Sequence, residues 1–167
     1  MKRVDLIGVL SPSVVEQVKN ICRNPTDLEL YINSEGGITR RCNAILGMIQ
    51  YLRNRNLNVS GLVTGDAHSA AFIILQACTS RKSLPTANFM FHAPAVLRFG
   101  REGEPLFVDD RNPNHPMHHL FLDELAKRTK LPKTMLENWS AEERYFSAEE
   151  ALEFHFIDQI VDQTATS

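Results

Sequence analysis

The apolar positions of this chain fall into short runs whose period changes several times. Val4 to Leu10 is apolar-rich and reads as a strand. Ser11-Pro12-Ser13 follows with helix-start chemistry: a hydroxyl able to cap free N–H groups and a proline suited to a first turn. Val14, Val15, Val18 and Ile21 recur at helical spacing until Asn24-Pro25, where the residue before a proline is pushed out of helical conformation. Leu28 to Ile32 predicts a buried strand, broken by Gly36-Gly37. A helix is predicted from Thr39 to Arg53, with Cys42, Ile45, Leu46, Ile49 and Leu52 on its apolar face. Leu57 to Val63 predicts a third strand ended by Gly65. Ser69 to Cys78 predicts a strongly apolar helix, and Asn88 to Phe91 a short strand before His92. The alternation β-α-β-α-β-α-β is the order expected when helices cover a largely parallel sheet.

The second half has another texture. From Ala95 to Pro116 the chain is polar and punctuated by Gly100, Gly103, Pro105, Pro113 and Pro116. Val96 to Phe99 and Leu106 to Asp109 predict a hairpin around the two glycines. A helix is predicted near Met117 to Lys130 with Leu120 and Leu125 on its apolar side, and Pro132 begins a shorter one. Ser147-Ala148-Glu149-Glu150 has the form of a capping box, and Ile157 to Val161 predicts a last strand. No repeat or low-complexity linker interrupts the chain. The expectation is an α/β fold in a single domain over residues 1–162, with a frayed tail at 163–167.

Composition narrows the function classes. The chain has 167 residues, 43% hydrophobic and 23% charged, which is ordinary globular make-up. Eighteen Lys and Arg against 20 Asp and Glu leave a net charge of −2, which argues against a nucleic-acid partner. The densest apolar stretch, Ala70 to Leu75, is far short of the roughly 20 residues a membrane span needs. Cys22, Cys42 and Cys78 are too few and too scattered for a disulfide framework. Together these features suggest a cytoplasmic protein without a membrane partner.

Four features could carry chemistry. Ser69, in Gly65-Asp66-Ala67-His68-Ser69-Ala70-Ala71, stands at a strand-to-helix junction. Unpaired N–H groups at a helix start favour a developing anion there, although a serine in that place is ordinarily a plain N-cap. Asn33-Ser34-Glu35-Gly36-Gly37 could aim backbone N–H groups at a ligand, or form only a tight turn. His92, in Phe91-His92-Ala93-Pro94, is a candidate general base or a structural histidine. Glu143, upstream of Tyr145-Phe146-Ser147, reads alone as a solvated surface charge.

In register, these segments carry a resemblance. Tyr31-Ile32-Asn33-Ser34-Glu35-Gly36-Gly37 resembles the INSPGG motif of the Clp protease proteolytic-subunit family. The segment from Gly65 to Ala71 is similar to that family's G-Q-A-A-S-M-G nucleophile segment. Leu84-Pro85 through Met90-Phe91-His92-Ala93-Pro94 resembles its L-P-N-S-R-V-M-I-H-Q-P segment. Tyr145-Phe146-Ser147-Ala148-Glu149-Glu150-Ala151 with Ile157-Asp158 resembles its F-L-S-A-E-E-A…I-D ending. The resemblance implies a single-domain spiral of β-β-α units, shared with the crotonase superfamily. It also implies a serine peptidase acting on peptides or unfolded protein without a cofactor, assembled as a ring homo-oligomer. Carried over by position, Ser69 is the nucleophile, His92 the base and Glu143 the third member, where the family has Asp. The resemblance likewise implies that the backbone N–H groups of Gly37 and Ala70 form the oxyanion hole, and that Val96, Leu97, Arg98 and Phe99 form the strand that lines the substrate groove.

Several positions depart from the family pattern. The chain begins almost directly at its first strand, where the family usually carries an axial hairpin that contacts an AAA+ unfoldase, so an unfoldase partner is left open. Glu142 stands where an Arg of ring–ring ion pairs is common, and the prolines require the long handle helix to start late, near Pro116, or to be rebuilt. His68 replaces a small residue beside the nucleophile, where it could narrow the site, tune it or face solvent. Asp158 and Asp162 are alternative third members should Glu143 point away. His115, His118 and His119 have near-helical spacing for a metal but no evident fourth ligand, and no metal is expected. The competing functions are a non-catalytic scaffold or partner subunit with the same fold, and an acyl-CoA enzyme of the crotonase group.

Overall fold

The computed structural model describes residues 1–99, 105–111 and 113–162. In chain order the elements are β1 (Lys2–Val9), α1 (Pro12–Arg23), β2 (Leu28–Gly36), α2 (Thr39–Arg53), β3 (Val59–His68), α3 (Ala70–Ala77), β4 (Ser80–Ser83) and β5 (Asn88–Met90). They continue with β6 (Ala95–Phe99), β7 (Pro105–Arg111), α4 (Pro116–Thr129), α5 (Lys133–Glu142), β8 (Tyr145–Ser147), α6 (Ala148–Glu153) and β9 (Gln159–Ile160). They form two compact units: Met1–Phe91 with Tyr145–Ser167, and His92–Arg144.

The first unit is a mixed α/β layer structure around a largely parallel sheet. Its main path runs β1-β2-β3-β4-β9, all neighbours parallel. β5 adds in parallel to the far half of β3, and β8 runs antiparallel to β5. Leu28, Leu30 and Ile32 of β2 are fully buried, as are Val18 of α1 and Ile45 and Leu52 of α2. Each such aliphatic side chain contributes about 1.5–3 kcal/mol when fully buried. Ser11 caps α1 by accepting the Val14 N–H at 3.3 Å, and the expected capping box at Ser147 and Glu150 is complete. A second cluster, of Phe72, Phe91, Phe146 and Phe156, joins α3, the residue after β5, β8 and the segment before β9. Its ring centroids lie 5.0 Å apart for Phe72–Phe91 and 5.2 Å for Phe146–Phe156, distances at which aromatic pairs attract beyond simple burial.

The expected order of strands and helices is present, with three corrections. β2 continues through Gly36, and β3 continues through Gly65 to His68. Ile32 lies opposite Val63 but Ser34 opposite Ala67, so β3 carries extra residues there and bulges. The Asn33 carboxamide fills the gap, accepting the Asp66 N–H at 3.0 Å against the bare face of Gly65. Past the bulge, β3 exchanges β4 for β5 as its partner. β4 itself, a polar Ser-Arg-Lys-Ser run, has no strand-like alternation to betray it, and it is held by pairing on both edges. Finally, Leu120 is exposed rather than inward-facing.

The second unit contains the antiparallel strand pair β6 and β7 and the helix pair α4 and α5, while the turn expected around Gly100 and Gly103 lies outside the described residues. α4 starts at Pro116, the late start that was one of the two outcomes the prolines allowed. Its buried positions are His118, Leu122, Leu125 and Thr129, which recur every three or four residues. α5 contributes buried Leu136, Trp139 and Ser140. The buried His118 Nε2 lies 2.9 Å from Ser140 Oγ, and Lys133 meets Asp123 at 2.7 Å. Among the described residues no helix is long and apolar enough to cross a membrane. The expected tail at 163–167 lies outside the described residues.

Candidate active site

Ser69 occupies the joint between β3 and α3 with φ 54° and ψ −122°. This is an unfavourable backbone conformation for a residue with a Cβ, costing on the order of 1–3 kcal/mol. Ser69 takes the N-cap position, yet its side chain makes no capping hydrogen bond, so plain capping does not explain the residue. Two neighbours hold the strained joint. The Ser69 N–H donates to the Met90 carbonyl at 2.8 Å, fastening it to the end of β5. Gly36, at φ 99°, presses its bare Cα face onto the joint. A Cβ there would lie 2.8 Å from His68 O, 2.9 Å from Ala70 N and 3.0 Å from Ser69 Cβ. Ala70 opens α3 and is itself buried, and the Cys42 thiol donates to its carbonyl at 3.7 Å.

The first unit thus brings Ser69, Ala70 and the Gly36-Gly37 turn together around the N-terminus of an apolar helix. Gly36, rather than Gly37, makes the close contact, while Gly37 lies against Leu10. His68 is not solvent-facing: its side chain is 13% exposed, its ring stands edge-on to Tyr145 at 5.2 Å, and its Nε2 is 3.6 Å from Asp66 Oδ1. The buried thiols of Cys42 and Cys78 are pushed up to about 12 by loss of solvation, which removes them as competing nucleophiles.

His92 and Glu143 belong to the second unit, at its start and near its end. Both are half-buried. Glu143 closes α5 in a left-handed conformation, φ 52° and ψ 48°, its N–H donating to Trp139 O. Val96, Leu97, Arg98 and Phe99 lie in β6, which pairs with β7. Asp158 is engaged with β4, where its carboxylate accepts the Arg81 backbone N–H at 2.7 Å and bonds the guanidinium as well. Asp162 is exposed. His115 caps α4 through Nδ1, accepting the Met117 N–H at 3.2 Å, and His118 is engaged by Ser140.

Comparison with known proteins gives the chain a family. Residues 11–164 match the profile of the family described as Clp protease. The chain belongs to the Clp protease family. It is 31% identical over 140 residues to ATP-dependent Clp protease proteolytic subunit 2 of Thermobifida fusca, covering 83% of this chain and 66% of that protein. It is 32% identical over 143 residues to proteolytic subunit 1 of Frankia casuarinae, covering 84% of this chain and 65% of that protein. For proteolytic subunit 1 of Corynebacterium glutamicum the identity is 31% over 139 residues, covering 81% and 64%. The chain spans a little under two thirds of the length of these Clp relatives.

Sequence reasoning missed two features of this candidate site in the Clp family chain. One is the role of Gly36 as the residue seated on Ala70. The other is Ser34, buried beneath the turn at the end of β2. An interior alternation of Leu28, Leu30 and Ile32 that ends on a serine was the available signal.

Proposed function

We propose that this chain is a serine-type endopeptidase that hydrolyses peptides or unfolded polypeptide. The observation that carries the reading is the strained Ser69 joint, packed by Gly36 at the start of an apolar helix. A serine held at such a cost without a capping role matches the logic of a nucleophile displayed on a sharp strand-to-helix turn. In this reading His92 takes the Ser69 proton as Oγ attacks the peptide carbonyl, and Glu143 holds the imidazole in the required tautomer. The N–H groups of Gly37 and Ala70 bind the tetrahedral oxyanion, each contribution being worth about 3–4 kcal/mol in well-studied cases. His92 then returns the proton to the leaving amine, and water hydrolyses the acyl-enzyme.

Chain connectivity supports the assignment. Within the first unit His68, Met90 and Tyr145 form one rung across β3, β5 and β8. Ser69 follows His68 directly, His92 is two residues beyond Met90, and Glu143 is two residues before Tyr145. All three assigned residues are therefore within two positions of that rung along the chain. We further assign Val96 to Phe99 as the strand that pairs with extended substrate by β-augmentation. A cytoplasmic ring of identical subunits is the proposed assembly; relatives named as proteolytic subunits support its being built of several subunits.

The test is hydrolysis of a fluorogenic peptide together with fluorophosphonate labelling of the assembled protein. The expected result is turnover, with the label on Ser69 and none on the Ser69→Ala variant. An assembled, folded protein that takes no label at Ser69 overturns the reading.

A further inference from the structure

Ser34 sits where the inward positions of β2 call for an aliphatic residue. Leu28, Leu30 and Ile32 are fully buried, and Ser34 continues the series at 1% exposure. Its hydroxyl both donates and accepts. Oγ donates to the Gly8 carbonyl at 2.6 Å and accepts the Gly36 N–H at 3.1 Å. Replacing it with an apolar side chain would take that partner from the part-buried Gly8 carbonyl and leave the Gly36 N–H unpaired in the interior, a costly arrangement.

The consequence runs along the backbone. Ser34 fixes the N–H side of Gly36, while the Leu10 N–H fixes the other side by donating to the Gly36 carbonyl at 2.8 Å. The Gly36–Gly37 peptide is trans and planar, so its N–H points opposite to its carbonyl. The Gly37 N–H is therefore directed away from Leu10, and its direction depends on Gly36 keeping φ 99°. The same Gly36 Cα bears on Ala70 N, so one residue sets the spacing of both donor segments.

We propose that Ser34 is a positioning residue for hydrolysis: by clamping Gly36 between Gly8 and Leu10, it aims the Gly37 N–H and spaces it from that of Ala70. This rests on the assignment of those two N–H groups as the oxyanion donors. Ser34 touches no reacting atom and acts only through Gly36. A donor displaced by a fraction of an ångström binds the ground-state carbonyl nearly as before but the developing oxyanion less well, so the effect falls on kcat.

The experiment compares wild type, Ser34→Ala and Ser34→Thr in the assembled protein. Readouts are peptide kcat and KM, the rate of fluorophosphonate labelling, and Tm. Expected for Ser34→Ala is a fall in kcat and labelling rate of about 10- to 100-fold, with KM changed less than about threefold. Ser34→Thr, which keeps the hydroxyl, is expected to recover most of the loss. A Ser34→Ala variant with lowered Tm but kcat within about twofold of wild type would mean a merely structural role and overturns the proposal; so does a loss confined to KM. Should Ser34→Ala fail to fold, Ser34→Cys keeps the volume with a weaker hydrogen-bonding group and is judged by the same two outcomes. Failure of wild type to label at Ser69 is a separate result that refutes the peptidase reading itself.

Discussion

A side chain at Gly36 would come within 2.9 Å of the backbone nitrogen of Ala70. Two segments distant in sequence are thus in contact through bare backbone, and the positive φ of Gly36 independently disfavours any L side chain. Gly36→Ala is expected to destabilise the fold by about 2–4 kcal/mol, combining backbone strain with overpacking. Urea unfolding at neutral pH measures the loss. Peptide turnover by the folded fraction is expected to fall at least about tenfold, since Ala70 must move.

Ser69 gives a prediction in which two inactive variants differ in stability. Its φ of 54° and ψ of −122° are tolerated by glycine and resisted by alanine. Ser69→Gly is expected to gain about 1 kcal/mol or more over Ser69→Ala in denaturant unfolding. Both variants are expected to lose fluorophosphonate labelling entirely. Equal stability of the two would show that the joint stores no strain.

Glu143 tests the third position of the proposed triad. Glu143→Gln keeps the size and removes the charge that would stabilise the imidazolium. It is expected to lower kcat by about 10²- to 10⁴-fold. Glu143→Asp, the residue the family resemblance implies there, is expected to retain more activity than Glu143→Gln. A Glu143→Gln enzyme with unchanged kcat would remove Glu143 from the mechanism.

The buried pair of His118 and Ser140 predicts acid sensitivity. Burial, reinforced by the nearby positive groups His119, His92, His115 and Lys133, lowers the His118 pKa from 6.5 to about 4. Protonation therefore favours the unfolded chain. The stability that His118 supports is complete above pH 6.5 and is lost as pH falls toward 4, by up to about 3 kcal/mol. The wild-type urea midpoint is expected to drop over that window, while His118→Gln, which can still bond Ser140, follows a flatter profile.

How much of this was legible depended on what stabilises each element. α2 spans Thr39–Arg53 as its periodicity predicted, because Cys42, Ile45, Ile49 and Leu52 supply a continuous buried stripe. Strand ends were less legible. Gly65 looked like a stop, but the Asn33 side chain, far away in sequence, carries β3 past it. β4 was invisible because its pairing is a backbone property and its residues are polar. Leu120 misled because an exposed leucine costs little, while the buried position nearby is held by His118 through its bond to Ser140. In the candidate site, residue types marked Ser69 and the glycine pair. Nothing local marked the Ser69 backbone conformation, because Gly36 and Met90 impose it from other strands.

The pairing of Met90 with Tyr145 has a consequence for how this architecture can vary. Seen from the first unit, everything from His92 to Arg144 is one excursion that leaves and re-enters the sheet at neighbouring strand ends. The entropy of closing such an excursion grows only logarithmically with its length, about 0.6 kcal/mol per doubling. Insertions or deletions within it therefore cost the sheet little, provided the two anchoring strand ends keep their register. The excursion can diverge in length and sequence while the Ser69 joint, built wholly from the other side of that pairing, stays unchanged.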